Sequence, residues 1–262
     1  MSVERQLLVT AVQRMTLDDG SGLRTTVFLK GCPLKCPWCC NPETQSGKPE
    51  TFYNEERCAI FKGSKYCGSC NDVFNLENTC PFGARESVGE WFALDQLKAK
   101  IEASGYRRVT FSGGEPLLQG ENLCALIRSL KEEGYNIALE TALSVPPLTE
   151  MFQWVDEWIV DLKFQSPYYT FFPTVKLSDA TYRLVVFAEL LDNEDWLSWL
   201  VKQLKNYSVS SIELLSYHTL GHAKYQRLKR CFSTFTTPTA EDILRISSVL
   251  VEAGIKTKNL HI

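Results

Sequence analysis

The sequence predicts an α/β fold: a parallel sheet wrapped by helices, built either as an open sheet or as a partial barrel. Two observations predict it. Short apolar strands alternate with amphipathic helical segments from Trp91 onward, and 262 residues with 44% hydrophobic side chains suffice for one large core. A third observation locates the chemistry, because eight of the ten cysteines fall between Cys32 and Cys80.

After an opening turn, Arg24 to Lys30 reads as a strand that runs directly into the first cysteine group. A loop-rich stretch from about 41 to 87 follows, too long for an idle connection. Residues 93 to 104 read as helix, Arg108 to Ser112 as strand, and Leu117 to Glu133 as an amphipathic helix stopped by Gly134. Tyr135 to Glu140 is the next strand, and a short helix follows Pro146-Pro147. Strands are expected at Trp158 to Lys163, Tyr182 to Phe187 and Ser211 to Ser216, with a helix from about Asp195 to Lys205. Thr239-Ala-Glu-Asp242, just after Pro238, is a capping pattern that opens a helix ending at Gly254 before a last strand. Only 19 residues join Lys163 to Arg183, and the two prolines and five aromatics of the first part, Phe164 to Pro173, oppose a regular helix. That segment either covers the core or forms an aromatic lid or docking surface, the covering role being the simpler expectation.

The 28 basic and 31 acidic residues give a net charge of −3 without blocks of one sign, so no footprint for nucleic acid or anionic lipid is present. The first residues lack a secretory pattern and no 18-residue apolar run occurs, so a soluble, cytoplasmic protein is expected; a monomer is the accompanying expectation. In a reducing compartment clustered thiols read as metal or cluster ligands rather than disulfides. Gly-x-Gly-x-x-Gly, Walker and His-Glu-x-x-His patterns are absent, which removes the main support for nucleotide-phosphate and zinc-protease readings.

Cys32, Cys36 and Cys39 stand in a C-x3-C-x2-C spacing directly after a strand. A 4Fe-4S cubane wants one external ligand per iron, so three thiolates from one loop hold it and leave one iron open. A structural zinc would need a fourth ligand nearby, and Cys40, adjacent to Cys39, is poorly placed to share its metal. Further along, Ser112-Gly-Gly-Glu115, Glu140-Thr141, Asp161 with Lys163, and His218 sit at the carboxyl ends of expected parallel strands, the rim where such folds collect active sites.

These residues resemble a family, the radical S-adenosylmethionine enzymes, and within it the activating enzymes of glycyl radical enzymes, of pyruvate formate-lyase activating type. The resemblance is carried in order by Asp19-Gly-Ser-Gly-Leu-Arg24, Phe28 to Cys39, Asn41-Pro-Glu, Ser112-Gly-Gly-Glu-Pro116, Asp161-Leu-Lys163 and Glu213 to Gly221. It implies a partial (β/α)6 TIM-like barrel spanning residues 1–262 with a cysteine-rich insert at 50–88. It also implies S-adenosylmethionine on the open iron, cleaved reductively to a 5′-deoxyadenosyl radical that takes a glycine Cα hydrogen from a glycyl radical enzyme. Trp38, Gly113, Gly114, Glu115, Glu140, Thr141, Asp161, Lys163, Arg183 and His218 are the implied cofactor contacts, with a possible monovalent cation at the acidic strand ends. A flavodoxin or ferredoxin-type reductant is the implied electron source. Asp19 and Arg24 are expected near the opening that receives the glycine loop, where Ser21 replaces the usual proline and costs rigidity.

Cys58, Cys67, Cys70 and Cys80 form a second group with C-x8-C-x2-C-x9-C spacing. Four thiolates close one further 4Fe-4S cluster, the preferred expectation, and a closed zinc site is the alternative because spacing alone does not choose the metal. The resemblance implies an insert with eight cysteines, of which this chain keeps half. Cys40, Cys124 and Cys231 are expected to be unliganded, as are His222 and His261. Two other functions compete with activation of a glycyl radical enzyme: a radical enzyme acting on a small molecule or peptide, and a non-catalytic iron-sulfur or zinc protein.

Overall fold

The structure is a computed structural model that describes residues 5–63 and 80–260. The chain enters on β1 (Gln6–Thr16), turns back into β2 (Arg24–Leu29), and leaves its carboxyl end as the cysteine loop. Then come β3 (Glu50–Tyr53), β4 (Arg85–Val88), β5 (Glu90–Ala93) and α1 (Leu94–Glu102). The alternating part follows as β6 (Arg108–Gly113), α2 (Gly120–Glu132), β7 (Asn136–Thr141), α3 (Met151–Trp154) and β8 (Glu157–Gln165). It continues through β9 (Tyr169–Phe171), β10 (Thr181–Val186), α4 (Trp196–Asn206), β11 (Ser211–Ser216), α5 (His222–Arg227), α6 (Ala240–Glu252) and β12 (Lys256–Leu260).

The sheet order is β12-β11-β10-β8-β7-β6-β2-β1-β5. From β2 to β12 every neighbouring pair is parallel and follows chain order without reversal. A doubly wound sheet reverses its order at a switch point, so continuous winding is the barrel type. The expected partial barrel is therefore present in β2 to β11, extended by β12.

Five strands, β1, β3, β4, β5 and β9, had no counterpart in the sequence expectation. The opening turn is preceded by the 11-residue β1, antiparallel to β2, and β5 pairs antiparallel to β1 where a helix start was expected. Leu7, Leu8 and Val9 are buried on an edge whose partner lies about eighty residues away, which no local pattern announces. The expected helix from Leu117 begins as a 3-10 turn at Pro116–Gln119, because the Glu115 carboxylate accepts from Leu117 N and the Gln119 side chain bonds Leu8 and Lys30 backbone groups. The α2 core stripe is then Leu123, Leu126, Ile127 and Leu130, at helical spacing. The Thr239–Asp242 capping box opens α6 as expected.

Strand alternation sorts the core from the site. Leu139, Val160, Leu162, Leu184, Val186, Ile212 and Leu214 are buried, and the intervening positions Glu140, Asp161, Lys163, Arg183, Val185 and Leu215 line the barrel interior. Register then sets their heights, with Arg183 opposite Asp161 on one side and Glu213 on the other.

At the two ends of the expected insert, Glu50 to Tyr53 pair antiparallel with Arg85 to Val88 as a separate small sheet. Glu86 and Glu55 form ion pairs with Arg227 and Lys229, and those two cations also lie over the Phe52 and Tyr53 rings. No helix among the described residues is long and apolar enough to cross a membrane.

Candidate active site

A cavity of about 260 Å³ lies inside the carboxyl rim of the parallel strands. The cysteine loop brings Cys32, Cys36 and Cys39 to its wall, with Trp38 beside them. Strand ends bring Gly113 and Gly114 from β6, Glu140 and Thr141 from β7, Asp161 and Lys163 from β8, and Arg183 from β10; His218 follows β11. Twelve expected site residues thus meet in one space.

Glu115 is the exception. It is buried but does not line the cavity, and its carboxylate accepts hydrogen bonds from the Thr141 hydroxyl at 2.6 Å and from the Ser144 hydroxyl and amide at 2.8 and 3.2 Å. This side chain ties the β6 turn to the end of β7.

The turn is in turn fastened to the cysteine loop by backbone. Gly114 N donates to Leu29 O, Glu115 N to Gly31 O, Gly31 N to Thr44 O and Cys32 N to Gln45 O, all within 2.6 to 3.0 Å. Gly113 has a φ of +112°, and a Cβ there would overlap the Leu29 backbone; one on Gly114 would meet Gly31 O and lie 2.7 Å from Thr44 O. The two glycines are demanded by this backbone stack, besides any approach to a ligand. Gly221 serves the same purpose from the other side, where a Cβ would lie 2.9 Å from the Cys40 Cα. We expect Gly114→Ala to cost about 1–3 kcal/mol through overpacking. Because the displaced backbone carries Cys32, iron content per chain after reconstitution should fall with it, as iron assay and urea denaturation together will measure.

Arg183 organises the polar interior. Its guanidinium donates to Glu140 at 2.9 Å, Glu213 at 2.8 Å and the Asp18 carbonyl at 2.5 Å, and Ser112 donates to the other Glu140 oxygen at 2.6 Å. Burial raises the Glu140 pKa, reinforced by Asp161 and opposed by Arg183. Burial works against the Lys163 ammonium, yet Asp161, 3.3 Å away, and the neighbouring thiols outweigh it and hold its pKa above the ordinary value. His218 is held below the ordinary imidazole value by burial and by Lys224.

Burial pushes the Cys32 thiol up to about 12 and Cys36 to about 11, and raises Cys39 as well. Three such thiols are satisfied by metal, which takes the thiolate form and releases the protons. Among the described residues no three His, Cys, Asp or Glu side chains converge on a single-ion position. A cubane needs no such convergence, since its irons each take one external ligand, and three thiols on one cavity wall suit it.

An aromatic cluster packs behind the cavity wall formed by Trp38 and Tyr217. Phe235, from the segment after α5, stacks on Phe187 at 4.1 Å, with Tyr168 and Tyr217 edge-on at 5.5 and 5.7 Å. Trp38 contacts Tyr169 at 5.9 Å and Phe187 at 5.6 Å. The aromatic segment thus divides its work: Phe164 packs against Trp199 and Tyr207 as core, Tyr169 reaches Trp38 of the cysteine loop, and Tyr168 packs on Phe187.

Asp18 and Asp19 both line the cavity, Asp19 accepting from the Thr26 hydroxyl at 2.6 Å. Arg24 does not reach it. It is fully buried at the opposite end of β2 and its role is internal, which corrects the expectation that it receives a glycine loop. Ser21 is not a loose substitute for proline, because Glu157 accepts from both its amide and its hydroxyl and Arg108 donates to its carbonyl.

Cys40 lines the cavity without belonging to the C-x3-C-x2-C triad, a position that adjacency to Cys39 concealed. Cys124 packs against the core, as expected. In the second cysteine group Cys80 is buried and Cys58 half-buried, its pKa lowered by a hydrogen bond with Tyr53. Cys67 and Cys70 lie outside the described residues, as does His261.

A family model described as a 4Fe-4S single cluster domain matches residues 18–178, from the opening turn through the cysteine loop to the aromatic segment. The chain belongs to this 4Fe-4S single cluster family. This family member is 29% identical over 272 residues to the pyruvate formate-lyase 2-activating enzyme of Escherichia coli strain K12, covering 94% of this chain and 89% of that one. It is likewise 29% identical to the benzylsuccinate synthase activating enzyme of Thauera aromatica, covering 95% and 91%. That alignment runs over 306 positions, more than this chain possesses, so the relative carries segments absent here. A third, the 4-hydroxyphenylacetate decarboxylase activating enzyme of Clostridioides difficile strain 630, is 28% identical over 87% of this chain and 88% of its own. The resemblance to activating enzymes read from the motifs therefore holds over nearly the whole chain.

In fold, the family member is similar to QueE from Escherichia coli, with a TM-score of 0.55 at 16% identity over 99% of both chains. It is also similar to a radical SAM methyltransferase from Sphaerobacter thermophilus, with a TM-score of 0.51 at 15% identity over 91% of this chain and 66% of that one.

Proposed function

We propose that this protein is a radical S-adenosylmethionine enzyme that activates a partner glycyl radical enzyme by abstracting a hydrogen atom from a glycine Cα. The observation that carries this reading is the single rim cavity that gathers the three loop thiols with Gly113, Gly114, Glu140, Thr141, Asp161, Lys163, Arg183 and His218. Relatives named as activating enzymes along nearly the full chain give it its direction. When bound, the cluster and S-adenosylmethionine supply a reductively formed 5′-deoxyadenosyl radical as the abstracting agent.

The chain supplies position and exclusion. Cys32, Cys36 and Cys39 hold three irons, and the backbone of Gly113 and Gly114 offers polar groups to the methionyl part of the cofactor. Lys163 and Arg183 neutralise its carboxylate. These two cations also pair with Asp161 and Glu140, and with Asp18 and Asp19 lining the same cavity the acidic strand ends leave room in the reading for a monovalent cation. Trp38 and Tyr217 on the cavity wall, backed by Phe187 and Phe235, keep water from the site. Asp18 and Asp19 present polar atoms on the far wall to an inserted glycine loop.

The reading includes a low-potential reductant of flavodoxin or ferredoxin type, a cytoplasmic monomer, and a second 4Fe-4S cluster on Cys58, Cys67, Cys70 and Cys80. Metal counts test the last point: about eight irons and no zinc per chain support it, and about four irons with one zinc replace it by a zinc site. The function itself is tested anaerobically with reconstituted, reduced protein, S-adenosylmethionine and candidate glycyl radical enzymes. 5′-Deoxyadenosine together with a glycine-centred doublet by electron paramagnetic resonance is expected; cofactor cleavage that never yields the doublet with any partner sinks the assignment.

A further inference from the structure

Cys32 and Cys36 line the rim cavity and also an outer recess of about 600 Å³, walled by Tyr225 and Phe232. The two spaces differ in charge. The rim cavity carries the carboxylates of Asp18, Asp19, Glu140 and Asp161, whereas among the described residues no Asp or Glu lines the recess, whose charged groups are Lys35 and Arg230. Cys39 lines the rim cavity alone, and Gln45 lines both spaces.

Gln45 engages both ends of the cysteine loop. Its carbonyl accepts from Cys32 N at 3.0 Å, and its side-chain amide hydrogen-bonds the Cys39 sulfur. The same amide bonds the hydroxyl of Tyr225, a buried side chain of α5. That helix is fixed in turn to the residues before Gln45, because Lys224 donates to Asn41 at 2.7 Å and to Glu43 at 2.6 Å. A metal-bound thiolate can only accept, so the bond that Gln45 makes to it uses an amide N–H. Backbone groups of Leu34 and Asn41 also bond Cys32 and Cys39, and those donors are present whatever the side chains are. Gln45 is a donor that the residue type supplies.

We propose that Gln45 is a positioning residue that sets the reduction potential of the rim cluster, donating to the Cys39 sulfur from an amide that Tyr225 holds in orientation. The inference rests on the proposed function for the presence of the cluster, and adds which side chains tune it. Hydrogen bonds to the sulfurs are among the few means a protein has to set such a potential. On reduction the cluster gains one electron, and the added negative charge is shared with its sulfur ligands. An N–H aimed at one of them stabilises the reduced state more than the oxidised state, because a charge-assisted hydrogen bond strengthens with the charge on its acceptor. The potential rises accordingly. Methionine at this position keeps the unbranched shape and the backbone carbonyl but has no N–H to give. Tyr225 acts one step further out, since without its hydroxyl the amide is free to turn toward the recess.

The test is a redox titration of the whole reconstituted protein with dithionite and mediators, read by electron paramagnetic resonance, in wild type, Gln45→Met and Tyr225→Phe. The signal followed is the one that S-adenosylmethionine perturbs, which separates the rim cluster from any cluster on the second cysteine group. At a fixed potential the ratio of reduced to oxidised rim cluster in Gln45→Met should fall about ten-fold, equivalent to about 59 mV for a one-electron couple. Tyr225→Phe should move the midpoint in the same direction by less. Iron per chain should stay at the wild-type level in both, because the Gln45 carbonyl that bonds Cys32 N is untouched. A Gln45→Met midpoint equal to or above that of wild type overturns the proposal. So does a Gln45→Met shift that comes with lost iron while Tyr225→Phe stays at the wild-type midpoint, since Gln45 is then a structural residue only. These potentials are read without any partner enzyme, so failure to form a glycyl radical defeats the functional reading without touching this one.

Discussion

Cys36→Ala is expected to remove the rim cluster and with it all reductive cleavage of S-adenosylmethionine. Iron per chain should fall by about four, and 5′-deoxyadenosine formation should drop far beyond the roughly 10–100-fold that loss of an outer-shell partner costs a metal site. The fold should survive, because Cys36 sits at the core margin and its replacement removes only one sulfur atom. Iron assay, the spectrum of the reduced protein and product quantification check this on one preparation. Full cleavage by the variant would mean that the loop does not hold the cluster, and the proposed function would fall with it.

The second large effect is on stability. Arg24 is wholly buried and uses all five of its N–H donors: Nε to the Thr110 hydroxyl at 2.8 Å, one terminal nitrogen to Ser21 O and Glu157 at 2.8 and 2.9 Å, the other to Val109 O and Asn136 at 3.2 and 2.8 Å. It thereby joins the amino ends of β2, β6, β7 and β8, roughly 20 Å along β2 from the cysteine loop. Arg24→Met should cost about 3–5 kcal/mol, since it strands Glu157 and several buried acceptors at once. Chemical denaturation measures it.

The same variant should change the acid limb. Burial tends to raise the Glu157 pKa, but hydrogen bonds from Ser21 and the charge of Arg24 win and hold it below the usual carboxylate value. A carboxylate depressed in the folded state contributes stability above its unfolded pKa and loses it as pH falls through the folded value. Wild type should therefore lose stability steeply on acidification through that range, and Arg24→Met less steeply. An unchanged slope would show that Ser21 alone depresses Glu157.

Legibility differed by region for physical reasons. The C-x3-C-x2-C loop, the strand-end residues and the capping box at Thr239 are local features, and each was readable from spacing. Strand β1 was not, because its partners β2 and β5 are chosen by tertiary pairing. Glu115 and Arg24 were assigned toward ligands because a charged residue within a motif suggests a ligand, yet both spend their charge on the fold. Phe235 was missed, and the packing role of Gly221 was unread, because their partners, Phe187 and Cys40, are distant in the chain.

By itself the sequence determined which thiols the proposed cluster would use, since only three cysteines share that loop spacing, and it determined the alternating α/β plan from periodicity. Tertiary structure decided the rest. Strand order without reversal chose barrel winding over an open doubly wound sheet, register brought Asp161, Arg183 and Glu213 to one level, and backbone contact explained Gly113 and Gly114. Only packing could place Cys32 and Cys36 between two cavities of different charge, because a chain records which residues it carries, whereas the space on either side of a side chain is made by residues far along it.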